Sequence, residues 1–300
     1  MYQNSSPLSS MQQLSIGNVV TVSLQLYRAN LKLYFKLSLV AYLWLLVPLY
    51  GWANFLAIYA LISRLAFNEL IDFPESVKAA SLYVKRRRWS FLLKSTLLMI
   101  VLFISLVLSF IVTAFCLELI GRNQFLKSLG NYLFENSIVR RNTWIALVIA
   151  LVMLLAIFAA LFIPTLWLYS HFLLTDLPLA LENKVNFLNA FIKSWKLTNH
   201  YSFRIKLILL IVGLILGTIE TLIYFICTVT VLGMSKVLNL ILSPDLSVYS
   251  SVIIQLVILV MILLNLAIMM PVLQAVKAVV YYNLRLRREG FGLQLQPRTI

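Results

Sequence analysis

Four side chains with chemical potential sit inside long apolar runs of this 300-residue sequence: Glu220, Asn265, Gln274 and Lys277. Ionisable and amide groups are costly within a hydrocarbon layer and usually mark a function there. As a set they form a candidate intramembrane polar site that carries a proton or holds a small polar substrate between two helices. Glu220 lies about 24 Å beyond Arg204 along one helix, at about 1.5 Å per residue. Asn265 falls at a similar depth on the following run, and Gln274 and Lys277 lie nearer its basic end. A plainer use is available to each. Glu220 and Asn265 can hydrogen-bond between helices, with the carboxyl protonated by burial. Lys277 can run its stem along apolar surface to water.

Other chemistry is scarce. The two histidines, His171 and His200, are far apart, and no His-Glu-x-x-His or Cys-x-x-Cys spacing occurs. No metal site is expected. There is no Gly-x-Ser-x-Gly elbow and no glycine-rich phosphate loop, so neither a hydrolase centre nor a cofactor is expected. Cys116 and Cys227 read as small apolar residues rather than a disulfide framework.

The elements that hold these residues follow from composition. Hydrophobic residues make up 62% of the chain and charged residues 12%, about half the charged share of a soluble domain. Mean hydropathy is +0.94. A water-soluble chain of this length cannot hide so much apolar surface. The runs Trp89–Glu118, Trp144–Leu174, Arg204–Gly233 and Ser251–Tyr282 each exceed the roughly 20 residues that a spanning helix needs. They are continuous and rich in Leu and Ile, unlike the alternating strands of a barrel. A fifth stretch, Leu37–Ile62, is interrupted by Pro48-Leu-Tyr-Gly51, a turn signal. It reads as two short helices, about Leu33–Val47 and Trp52–Leu70, which either cross the bilayer or re-enter on one side. The fold class is thus an all-α membrane protein. It has six transmembrane or re-entrant helices in three hairpins, about 33–71, 89–174 and 204–283, within one integral membrane domain over residues 1–300.

Charge sets the orientation. The net charge is +15 with 25 Lys and Arg, and these sit between apolar runs rather than in a separate basic domain, so no nucleic-acid partner is expected. If the first stretch folds back, five of them (Arg122, Lys127, Arg140, Arg141 and Lys236) face one side and the other 20 face the opposite side. The positive-inside rule then puts both termini in the cytoplasm. Residues Met1 to Gly17 are polar and lack the pattern of a signal peptide. Each hairpin is preceded by a short amphipathic stretch, which should lie on the cytoplasmic interface with its apolar side down. In the first, Asn18, Thr21, Gln25, Arg28 and Lys32 oppose Ile16, Val20, Tyr27 and Leu31. In the third, Val185, Leu188, Ile192 and Trp195 oppose Asn186, Asn189, Lys193 and Lys196. The middle one, around Glu75–Arg88, is poorer.

Two local patterns suggest contacts. Gly213-Leu-Ile-Leu-Gly217 puts two glycines on one helix face, which permits close packing, by default within the chain. Lys85, Arg86, Arg87 and Arg88 precede Trp89 at a membrane edge and suit anionic lipid headgroups and topology.

One segment carries a resemblance. Pro164, then Phe172-Leu-Leu-Thr-Asp-Leu-Pro-Leu-Ala-Leu-Glu182, then Ala190-Phe-Ile-Lys-Ser-Trp-Lys-Leu-Thr198, resembles bacterial integral membrane proteins of unknown function. These are similar to the membrane domain of glycerophosphoryl diester phosphodiesterases. Tyr281-Tyr-Asn-Leu-Arg-Leu-Arg-Arg-Glu-Gly-Phe291 resembles the closing segment of that family, with Asn283 and Gly292 where an Asp is common. The resemblance covers the second half best and has a cyanobacterial style. It implies a six-helix fold in a bacterial plasma membrane, or a thylakoid membrane. It implies no reaction, since the phosphodiesterase domain is not part of this sequence.

Three functions compete. The leading one is a non-enzymatic membrane protein acting through lipid or protein contacts: a scaffold, assembly factor or accessory subunit, with a protein partner or a second copy. The next is a small transporter or channel using the polar site on the last two apolar runs. The third, from the resemblance alone, is an accessory role in lipid metabolism.

Overall fold

The computed structural model describes residues 14–122, 143–183, 185–241 and 247–289. Among the described residues the regular structure is all helical, in ten helices. These are α1 (Ile16–Ala29), α2 (Leu31–Trp44), α3 (Tyr50–Leu70), α4 (Val77–Arg86), α5 (Arg88–Arg122), α6 (Thr143–Phe172), α7 (Asp176–Leu181), α8 (Phe187–Thr198), α9 (Ser202–Ile241) and α10 (Ser247–Glu289). Four candidate membrane spans emerge among the described residues: Arg88–Cys116, Leu151–Leu181, Ser202–Val237 and Val252–Arg288. The two helices of the first expected hairpin are not among them. α2 has only 14 residues, about 21 Å of helix. α3 has 21 residues but carries Asn54 and Arg64 among its apolar side chains.

The chain divides into two compact units, one of residues 1–95 and 173–300, the other of residues 96–172. In the larger unit α3 is buried along most of its length, against α10, α2, α4 and α7. Local sequence explains its start. Pro48 has no N–H to donate, and Leu49 takes a positive φ of 56°. A Cβ on Gly51 would lie 1.9 Å from the Trp44 carbonyl oxygen, so only glycine fits there. The break read at Pro48–Gly51 is therefore present. Ser76 caps α4, its Oγ accepting from the Ala79 N–H at 3.3 Å, and Ser15 caps α1 in the same way from Asn18 at 3.2 Å.

The expected amphipathic stretches are helices, but the first of them is covered by protein. The polar face of α1 (Asn18, Thr21, Gln25, Arg28) is exposed as read. Its apolar face packs on α9 and α10 instead of facing a lipid interface. Val20 and Leu24 meet Val212 and Leu216 of α9 and Val272 and Val276 of α10. On α8 the side chains buried in protein are Ala190, Phe191, Ser194, Leu197 and Thr198, while Leu188 and Ile192 of the expected apolar face are exposed and so stay open to a lipid interface.

In the smaller unit α6 contains Pro164. The most apolar stretches of Arg88–Cys116 and Leu151–Leu181 have none of their residues buried.

Candidate functional site

The larger unit gathers its polar side chains into a few compact ties. Asp176, the first residue of α7, receives Lys94 from the start of α5 and Lys277 from α10, the latter at 3.2 Å. One carboxylate thus serves two buried or nearly buried ammonium groups. One turn before Lys277, Gln274 Oε1 accepts from Ser63 Oγ of α3 at 2.8 Å. Ser38 of α2 reaches the Met270 sulfur of α10 at 3.2 Å.

Arg64 is the densest of these ties. Its side chain is 5% exposed and forks onto Glu75, Nε to Oε2 at 2.7 Å and Nη2 to Oε1 at 3.1 Å. Its Nη1 donates to the Ala180 carbonyl, and its guanidinium lies 4.1 Å from the Tyr83 ring centroid. Asn68 adds a bond to Glu75 at 2.9 Å. A buried charge held this way has its donors satisfied, the condition for its being tolerated. At the base of α2, Asn30 donates to both Glu69 oxygens. Burial first, and then the Glu69 carboxylate, push the Tyr34 phenol above its ordinary value.

The basic run at 85–88 is split by the structure. Arg87 turns inward and donates to the carbonyls of Leu179 (2.8 Å), Glu182 (2.7 Å), Asn183 (3.1 Å) and Val185 (2.7 Å). It thereby fastens α4 to the segment between α7 and α8. Arg88 donates to Tyr50 Oη at 2.8 Å and lies 4.4 Å over that ring. Lys85 and Arg86 remain exposed. Arg86, Arg87, Leu82, Tyr83 and Asn183 line an open cleft of about 450 Å³. Arg87 and Arg88 thus have protein partners, while Lys85 and Arg86 stay exposed.

The expected polar site does not assemble. Glu220 is exposed on the apolar part of α9, and the buried Asn265 Oδ1 has no hydrogen-bond partner among the described residues. Gln274 and Lys277 point to Ser63 and Asp176 instead. The snorkelling assigned to Lys277 gives way to this ion pair. Nor do Gly213 and Gly217 serve close packing among the described residues, since a Cβ at either would meet nothing within 4 Å. Cys116 and Cys227 are free, the first exposed and the second partly so, rather than buried. Among the described residues no three His, Cys, Asp or Glu side chains gather as a metal site.

Sequence reasoning passed over Arg64, Asp176, Lys94 and Ser63. A signal existed for the first. A lone arginine between Ile62-Ser63 and Leu65-Ala66-Phe67 in an apolar run asks for a buried partner, and it was weighed only as a topology charge.

Comparison with known protein families, with curated proteins and with solved structures finds no match. Function must be argued from these ties alone.

Proposed function

We propose that this chain is an integral membrane protein without a catalytic role, acting through lipid and protein contacts as a scaffold, assembly factor or accessory subunit. The observation that carries the reading is a contrast. The buried or half-buried Arg64, Lys94, Asp176, Lys277 and Gln274 all find side-chain or backbone partners within the fold, whereas the long helices expose many large apolar side chains. A polar group whose partners are already in the fold is not free to bind and release a substrate. Exposed apolar helices in a bilayer associate through packing with lipid and with other helices.

Charge gives the orientation. With the basic segments in the cytoplasm, both termini lie there too. Lys78, Lys85 and Arg86 on the outer side of α4 then face anionic headgroups. The transporter reading has less support, because Glu220, Asn265, Gln274 and Lys277 do not line one pathway. An accessory role in lipid metabolism, and membership of the bacterial family resembled, rest on the sequence likeness alone.

The test is purification of the full chain in a mild detergent followed by native mass spectrometry. We expect a co-purifying subunit, self-association, or bound anionic phospholipid. A bare monomer free of all three would end the proposal.

A further inference from the structure

We infer that α2 and α3 form a re-entrant hairpin whose turn lies among the acyl chains of a single leaflet, entering and leaving on the side where the basic segments gather. The inference rests on the membrane reading above.

Length is the first ground. α2 spans about 21 Å at 1.5 Å per residue, against roughly 30 Å of hydrocarbon. Register is the second. Ser63 meets Gln274, and Phe67 stacks edge-on with Tyr281 at 5.6 Å, so α3 runs parallel to α10. Going back from Ser63 to Tyr50 covers about 20 Å, which brings the start of α3 level with the neighbourhood of Met261. α2 gives an independent measure. From Ser38, which meets Met270, about 9 Å of helix to Trp44 reaches the level of Leu264. Both routes end beside the exposed apolar stretch of α10 that contains Leu256, Leu259 and Ile262.

The surface of the hairpin changes along its length in the same sense. Lys32 and Lys36 are exposed near its base. At its tip Leu46 is 81% exposed, Leu43 63% and Leu49 62%, joined by Val47 and Trp52. A turn in water favours Asn, Asp, Ser or Gly. Apart from Gly51 and Pro48 this one is leucine, valine and aromatics.

Backbone polarity is the remaining objection, since irregular chain at membrane depth must have its polar groups satisfied or covered. Here the N–H groups of Leu45, Leu46, Val47, Tyr50 and Gly51 each bond a carbonyl between Tyr42 and Pro48, and Pro48 has none to satisfy, which leaves the Leu49 N–H as the one of residues 45–51 without such a bond. Arg88 tethers the tip through Tyr50. An arginine can reach that ring from the interface, so the tip stays within one leaflet.

The experiment uses the full chain with both native cysteines replaced by serine, reconstituted in phosphatidylethanolamine–phosphatidylglycerol vesicles. Single cysteines are placed by Leu46→Cys, Lys36→Cys and Lys85→Cys and treated with a membrane-impermeant maleimide from each side. We expect the Lys36 and Lys85 positions to react from the same side only, and the Leu46 position from neither. A nitroxide on Leu46→Cys should collide at least several-fold more with oxygen than with a water-soluble nickel complex. Reaction of Leu46→Cys from the far side would show a crossing hairpin, and from the near side a tip in water. A nitroxide shielded from both agents would show a protein partner over the tip. Each of these overturns the inference. One-sided reaction at Lys36 and Lys85 separates its failure from that of the membrane reading, which falls only if both positions react from both sides.

Discussion

α3 and α5 are both apolar helices, yet one is buried among other helices and the other bares its apolar side chains. The difference lies in where their polar groups find partners. α3 carries Asn54, Ser63, Arg64, Asn68 and Glu69. Of these, Ser63, Arg64 and Glu69 bond residues of α10, the α7 segment and the start of α2. In the apolar stretch of α5, Ser109 and Thr113 return their hydroxyls to the carbonyls of Ser105 and Ser109, four residues back in the same helix. A helix that satisfies itself can face lipid; a helix that depends on others for hydrogen bonds must stay among them.

Substitutions sharpen this contrast. The largest effect is expected for Arg64→Met, which leaves the Glu75 carboxylate with Asn68 but without its counter-charge and the Ala180 carbonyl without this donor. Losing one partner of a buried pair costs about 3–5 kcal/mol, read as a lowered unfolding midpoint in detergent micelles. A loss too small to measure would break the comparison. Asp176→Asn should cost about 3 kcal/mol, since it leaves Lys94 and Lys277 facing each other without a counter-charge. Replacing both lysines by methionine in that background should recover most of it. Gln274→Leu removes the nearer acceptor of the Ser63 hydroxyl and leaves it the Tyr59 carbonyl at 3.4 Å; it should cost about 1 kcal/mol, and the added change Ser63→Ala should restore stability. On α5, Thr113→Ala, which loses only a bond within its own helix, and Phe103→Leu at an exposed position should each stay within about 0.5 kcal/mol of the parent. A large effect there would reveal a partner surface.

Much of the architecture was legible. Pro48 and Gly51 announced the break, and the four long apolar runs announced the long helices. Hydropathy alone marked one further run at 37–62, which the Pro48–Gly51 break divided into two helices that either cross or re-enter. It could not show that α3 spends its apolar surface on α10 rather than on lipid, because burial in protein and burial in bilayer leave the same composition. The candidate site was less legible. Gln274 and Lys277 stand out in the sequence as polar groups in an apolar run, but their partners Ser63 and Asp176 lie 211 and 101 positions away, and no spacing rule reaches that far. The run at 85–88 shows the same limit: four adjacent charges look alike in one dimension, while the fold gives Arg87 four carbonyl partners, Arg88 the Tyr50 ring, and leaves Lys85 and Arg86 exposed.

The contact at Leu14 has a consequence for how the protein is made. Its N–H and carbonyl both meet Asn283, 269 positions downstream, and Arg204 and Arg287 also donate to that carbonyl. At a translation rate of about 5–20 residues per second, roughly 15–50 s separate the emergence of the two residues from the ribosome. During that interval the greasy side of α1 has no α10 to cover it. The nascent chain therefore spends most of its synthesis with its first helix unpaired, in need of the bilayer surface or a chaperone as a temporary host.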